Sequence, residues 1–402
     1  MIKQLFQKYF LLSFCLTGFS LAATAQRTCG TENSFIFQRL YPARYDSIEG
    51  RVKNFLAQQK SRPTGTLAVR SIPIVVHVLY NNNTTDPTYI SDAKIISQIN
   101  TLNQDFRRLN ADWTNTPSAF QAATADCEVR FCLASKDPGG NSTSGIIRKY
   151  TDSINFFLKT SPKHNNTGGS DAWAANKYLN LWVVPRINNG SELLGYATFP
   201  WQNAGAEDGV VIRFNAFGSV APVQTKYNLG RTSTHEIGHW LGLKHIWGDE
   251  PACAADDDVA DTPPQADNNY GCQNFPLTDA CSNGNGVMFM NYMDYTDDRC
   301  MFMFTAGQKA RMYYYLSNDH KTVVDNAGAG CGDCPYILIV SGNVSTNINY
   351  RSANEIISTQ NILPGIFSNY STGNKVTLSP GFHAGSGATV RIKTGEICYP
   401  PN

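Results

Sequence analysis

The run His235-Glu-Ile-Gly-His-Trp-Leu-Gly-Leu-Lys-His245 constrains this chain more than any other segment. On a helix, His235 and His239 stand four residues apart and project from one face, so two imidazole nitrogens can meet one ion. Glu236 lies one position along, within reach of a water on that ion rather than of the ion itself. Gly242 admits a backbone conformation that other residues resist, so the chain can leave the helix sharply. The turn would return His245 as a third ligand. Three nitrogens with one open position make the ligand set of a catalytic zinc, not a structural one. A lone His-x-x-x-His pair would say far less, because such pairs occur in ordinary cores. Here three of the chain's seven histidines fall in one run, with Glu and Gly between them. Zinc would lower the pKa of its water to about 7 and polarise a carbonyl. Glu236 would take the proton and pass it to a leaving amine. The expected reaction is peptide-bond hydrolysis, with protein or peptide substrates.

Composition narrows the setting. Charged residues are 16% of the chain, 33 basic against 32 acidic, which argues against nucleic acid or an acidic membrane as main partner. Hydrophobic residues at 42% and aromatics at 11% describe a packed globular protein. Residues 1–25 read as a secretory signal: Lys3 and Lys8, an apolar stretch over 10–23, then Ala23-Thr-Ala25 for cleavage before Gln26. The stretch is short for a spanning helix, and no other segment is long and apolar enough, so an integral membrane protein is not expected. Cys15 would leave with the signal. In a secreted chain the remaining cysteines read as disulfides more readily than as thiols.

Three divisions follow the signal. Residues 26–70 read as a pro-segment, with Arg27-Thr-Cys-Gly30, a weakly helical stretch over 45–59, and Lys60, Arg62 and Arg70 as cleavage points. Residues 71–327 read as the catalytic domain. Strands are predicted over 72–80, 129–133, 178–184, 195–199 and 209–213, making a mixed sheet. Helices are predicted over 91–108, with Ser91 as N-cap, over 230–241, carrying the histidines, and over 305–316, opened by a Thr305–Gln308 capping box. Residues 328–402 read as a linker and a small β module of stacked short strands. Asn354 and Asn374 begin similar units, each leading to a Pro-Gly pair, Pro364-Gly365 and Pro380-Gly381.

Downstream of the histidines, Asn291-Tyr-Met-Asp-Tyr295 resembles the Met-turn of the metzincin clan. That implies Met293 as the apolar floor under the metal and Tyr295 as a hydroxyl beside the tetrahedral intermediate. Together with Asp261-Thr-Pro263, Ile72-Pro-Ile-Val-Val-His-Val78, Leu102-Asn-Gln-Asp-Phe-Arg107 and Phe304-Thr-Ala-Gly-Gln308, these motifs make the chain from about Ile72 to Leu316 similar to the pappalysin family. The likeness is greatest to its short microbial, ulilysin-like members. It implies an α/β (α+β) fold of two subdomains, with a mixed twisted sheet, a zinc-binding helix and a cleft between the halves.

The resemblance implies four further features. Structural calcium would lie on Asp257, Thr262, Asp261 and the carbonyl of Val259, oxygen donors that suit the ion. Disulfides would join Cys253 to Cys281 and Cys272 to Cys300, although sequence alone does not fix connectivity. Cys29 resembles a cysteine switch, its thiolate closing the fourth position of the zinc in a latent form. Relatives that favour Arg or Lys after the cleaved bond use an acidic pocket base, for which Asp297 and Asp298 are candidates; Arg299 beside them is a departure that could neutralise the pocket. The cysteines left over, Cys127, Cys132, Cys331, Cys334 and Cys398, are odd in number, which leaves one free thiol. Cys127 and Cys132 are too far out of phase on one strand to pair. A reading from another class is a secreted adhesin or carbohydrate-binding protein on a peptidase-like fold, carried by the C-terminal module. The intact Glu236 and three histidines count against it.

Overall fold

The computed structural model describes residues 27–31, 34–60, 69–156, 161–187, 193–250, 252–282, 284–324, 326, 337–352, 355–372 and 375–394. The leader with Cys15, Arg62, the linker at 328–335, and Cys331, Cys334 and Cys398 lie outside them.

A strand covered on both faces must be apolar throughout, and the run from Ile72 to Leu79 meets that need. It forms β2 (Arg70–Tyr80), in which every residue except the first and last is buried. Two edges of β2 organise a seven-stranded sheet. On one, Ile74 faces Leu179 of β5 (Leu179–Val184) in parallel register. On the other, β3 (Val129–Leu133) and β4 (Ile146–Tyr150) pair with its first and second halves. Beyond β5 come β7 (Val210–Arg213) and then β6 (Leu193–Ala197), the one antiparallel neighbour. The outermost strand is β1 (Thr28–Cys29), laid parallel on β6 by the N-terminal segment. β1 and β4 carry no sequence signal: one is two residues long, and the other is only part-buried.

Helices cover the sheet. In the N-terminal segment are α1 (Ser34–Leu40) and α2 (Pro42–Lys60), the second opening three residues ahead of the predicted stretch. Next is α3 (Asp92–Phe106), whose N-cap Ser91 accepts from Lys94 N and whose Ile95, Ile99, Leu102 and Phe106 face the core. A single turn, α4 (Ser118–Gln121), follows. The histidine helix is α5 (Arg231–Trp240), with every residue buried. The last, α6 (Ala306–Ser317), starts at a complete Thr305–Gln308 capping box. Between α5 and α6 the chain is irregular but braced, Cys253 joined to Cys281 and Cys272 to Cys300. Cys127 is a buried free thiol, while Cys132 is disulfide-bonded to a partner outside the described residues.

Residues 337–394 build a separate motif. Three short strands recur three times: β8 (Ile337–Val340), β9 (Asn343–Val344), β10 (Ile348–Ser352); β11 (Glu355–Ser358), β12 (Asn361–Ile362), β13 (Phe367–Thr372); β14 (Lys375–Leu378), β15 (His383–Ala384), β16 (Thr389–Thr394). Like stacks on like in three parallel sheets. Register sets Glu355 on Lys375 and Ile356 on Val376, so the two Asn-led units noted in the sequence are successive turns of one coil.

Candidate active site

Helix α5 ends where Gly242 takes φ +83°, and a Cβ there would lie 2.0 Å from the Tyr315 ring. No other residue satisfies both the turn and the contact. Past the turn, His245 reaches the face that bears His235 and His239. Each imidazole is fixed through Nδ1. His235 donates to Tyr292 O at 2.7 Å, His239 donates to Leu243 O at 2.8 Å, and His245 bonds the Asp249 carboxylate. The Nε2 atoms are thereby left to converge, with His239 at 3.2 Å from His235 and 3.1 Å from His245. Holding the far nitrogen sets both tautomer and ring orientation for a metal ligand. Burial also keeps two of these rings neutral, the ligating form: His239 falls to about 3 and His235 well below its usual value. Beneath them Met293 is fully buried, and a Cβ on Gly238 would meet its sulfur at 2.5 Å. The thioether therefore lies against the helix backbone.

Glu236 faces the same space. Burial pushes its carboxyl up to about 7, against hydrogen bonds that pull it down. Those bonds come from the N-terminal segment: Thr31 Oγ1 donates to Oε2 at 2.9 Å and the Cys29 thiol at 3.2 Å. Strand β1 is held in place by Gly30 N donating to Gly195 O at 2.8 Å and Ala197 N donating to Thr31 Oγ1 at 2.9 Å. Its Cys29 Sγ and the three histidine nitrogens form one cluster within 4.8 Å, the single such cluster among the described residues. Three imidazoles and a thiol are a borderline-soft donor set that fits zinc. The Tyr295 ring lies 5.0 Å from that of His245 and 5.7 Å from that of His235, its hydroxyl bonded by the Cys29 backbone.

Beside the cluster, Arg27 is buried in an ion pair with Asp298 and lies over the Tyr227 ring at 5.1 Å. Asp298 also accepts from Leu229 N at 2.8 Å and Arg231 N at 3.2 Å, at the start of α5. Asp297 is buried beside it, its backbone N–H donating to Gly271 O. Arg299 is exposed and its side chain reaches Cys272 Sγ, so it does not neutralise Asp298.

Among the oxygen donors, Asp257, Thr262 and Val259 O converge, Thr262 Oγ1 standing 2.9 Å from both Asp257 oxygens and 2.7 Å from Val259 O. The Asp261 carboxylate is elsewhere, accepting from Thr305 Oγ1 at 2.6 Å and Gly307 N at 2.8 Å at the head of α6. Three participants escaped the sequence reading. Asp249 carried a usable signal, lying four residues after His245. Thr31 and Arg27 carried none beyond nearness to Cys29.

A buried trio of convergent imidazoles with a carboxylate on the same helix and a methionine floor is a metallopeptidase centre. Residues 163–317 match the peptidase M43 family, described as pregnancy-associated plasma protein-A. An extracellular metalloprotease of Trichophyton verrucosum is 30% identical over 310 residues, 75% of this chain and 95% of the relative. One from Arthroderma otae is 31% identical over 311 residues, again 75% and 95%. Among solved structures, a mutant of Tannerella forsythia promirolysin is 45% identical with TM-score 0.67, covering 74% of this chain and 97% of that one. Mature mirolysin with a cleaved peptide is 47% identical with TM-score 0.62, covering 67% and 100%. The chain belongs to the pappalysin family of zinc metallopeptidases.

Proposed function

We propose that this chain is a secreted endopeptidase made as a latent precursor, residues 1–25 directing export, 26–70 holding the latent state and 71–327 carrying the activity. The observation that supports it most is the convergence of Cys29 Sγ with three Nε2 atoms whose Nδ1 partners are fixed. His235, His239 and His245 would hold zinc, with Cys29 as fourth ligand in the precursor. When bound, zinc supplies Lewis acidity toward water and a peptide carbonyl. Glu236 then takes the proton of the attacking water and delivers it to the departing amine. In the precursor Thr31 and Cys29 occupy that carboxylate. Tyr295, freed of the Cys29 backbone, offers its hydroxyl to the developing oxyanion. Calcium would brace the lower wall at Asp257, Thr262 and Val259 O, with Asp261 contributing through α6 instead. Casein cleavage by the activated chain should vanish with chelator and return with zinc; activity that persists without metal rejects the proposal.

Specificity follows from the pocket that Arg27 fills. A buried carboxylate, Asp298, meets a guanidinium there, so the mature enzyme should prefer Arg or Lys after the cleaved bond. A peptide library varied at that position tests this, and equal cleavage of Leu and Arg peptides would sink it.

A further inference from the structure

We propose that the face of the catalytic domain covered by α1 and α2 is a docking site separate from the cleft. It takes an amphipathic helix with a central carboxylate, and residues 34–60 stay bound there after the chain is cut between α2 and β2. This rests on the reading of residues 26–70 as a pro-segment.

Helix α2 buries Tyr45, Ile48, Glu49 and Val52, one stripe at helical spacing, while Asp46, Ser47, Arg51 and Lys53 stay exposed. The stripe packs on Phe199, Trp201, Tyr314 and Tyr315, where Phe37 of α1 also lies. In its middle, the two Glu49 oxygens accept from the two Arg311 Nη atoms at 2.7 and 2.6 Å. Lys244 Nζ stands 3.5 Å from the same carboxylate and pairs with Asp258, which also bonds the Tyr45 hydroxyl. Side chains of Glu49, Lys244 and Arg311 are at most 5% exposed.

Two buried cations are thus balanced by two carboxylates, one of which belongs to the N-terminal segment. Without residues 34–60, Lys244 and Arg311 share Asp258 alone beside an aromatic surface. That is a receptor for a carboxylate on an apolar helix face. The receptor has an anchor of its own, because Arg311 Nε donates to Gly242 O at 2.7 Å, a bond in which Glu49 takes no part. The groups that hold residues 27–31, namely Glu236, Ala197, Gly195 and Asp298, belong to none of these contacts; only Ser34, at the junction, reaches toward the centre, through Asp249. A cut after α2 therefore severs the chain and leaves the flank anchor whole.

The test uses the full chain bearing Glu236→Ala, so that it cannot process itself, with the recognition sequence of an unrelated protease placed within 61–68. After that cut, gel filtration at physiological salt reads whether the segment travels with the remainder. It should co-migrate, and should still do so when Cys29→Ala removes the cleft plug. Glu49→Gln should raise the dissociation constant at least tenfold. Val52→Asp, which keeps Glu49, Arg311, Lys244 and Asp258 but puts a charge into the apolar stripe, should do the same. Both changes lie on the excised segment, so the receiving domain is identical in every arm. Release on Cys29→Ala, or retention unchanged by Glu49→Gln and Val52→Asp, overturns the proposal. Failure of the pro-segment reading shows elsewhere, as an uncut chain with Glu236 intact that cleaves casein as fast as the cut one.

Discussion

In the metal centre no contact occurs twice, whereas in the C-terminal coil most contacts recur with each turn. His235, His239 and His245 lean on three different partners, Tyr292 O, Leu243 O and Asp249, the first distant in the chain and the other two four residues away. In the coil, Ile356 sits between Leu338 and Val376, and Tyr370 between Tyr350 and Ile392. Asn343, Asn361 and His383 likewise bond in a row. A centre built from unique contacts concentrates chemistry and vulnerability in a few residues. A coil of repeated contacts spreads stability and gives no residue a singular task.

The contrast is broken most severely at Glu236. Glu236→Ala should keep bound zinc but lower kcat/KM by on the order of 10²–10⁴; measured metal content separates lost base from lost site.

Acid should divide the two regions next. His77 is fully buried, bonded to Ser170 and Asn180 and stacked on Trp182. Burial lowers it from 6.5 to about 4. The unfolded state therefore holds more protons between those pH values, so this contribution is whole above pH 6.5 and is lost as pH falls toward 4. The loss is on the order of 3 kcal/mol. The coil holds no buried imidazole among the described residues. Acid titration of near-ultraviolet circular dichroism in wild type and His77→Gln reads the difference; coincident curves would dismiss the idea.

Asp249→Ala should weaken zinc binding about 10–100-fold, because His245 loses the group that orients it. Competition with a chelator gives the number. The same change removes the carboxylate that accepts from Ser34 N and Oγ, so precursor activation should also speed up.

The smallest effect on catalysis belongs to the coil. Ile356→Ala should cost about 2–5 kcal/mol within that motif while leaving peptide cleavage at the wild-type rate. A matching fall in kcat/KM would mean the two regions are coupled and would end the comparison.

The regular parts of the fold were legible where burial writes a period. β2, α3 and α6 carry continuous apolar runs, a 3.6-residue stripe and capping residues, and each lies within a few residues of its expected place. β1 has only two residues, and its strand character comes from β6. α2 looked weak because its stripe mixes Tyr45 and Glu49 with Ile48 and Val52, and that mixture makes sense only against Arg311 and Lys244.

The sequence by itself determined which histidines a helix and a glycine turn would bring to one face, since both are local properties; the Met-turn was legible only through its resemblance to a family motif. It showed two of the coil's three turns, through their matching Asn starts and Pro-Gly pairs. Only tertiary structure decided that Asp249 holds His245, that Arg27 rather than Arg299 meets Asp298, that Asp261 turns to α6, and that Glu49 seats on Arg311. Each of those joins residues far apart in the chain or chooses among nearby carboxylates. Charges so placed declare their partners only when folding removes the water between them.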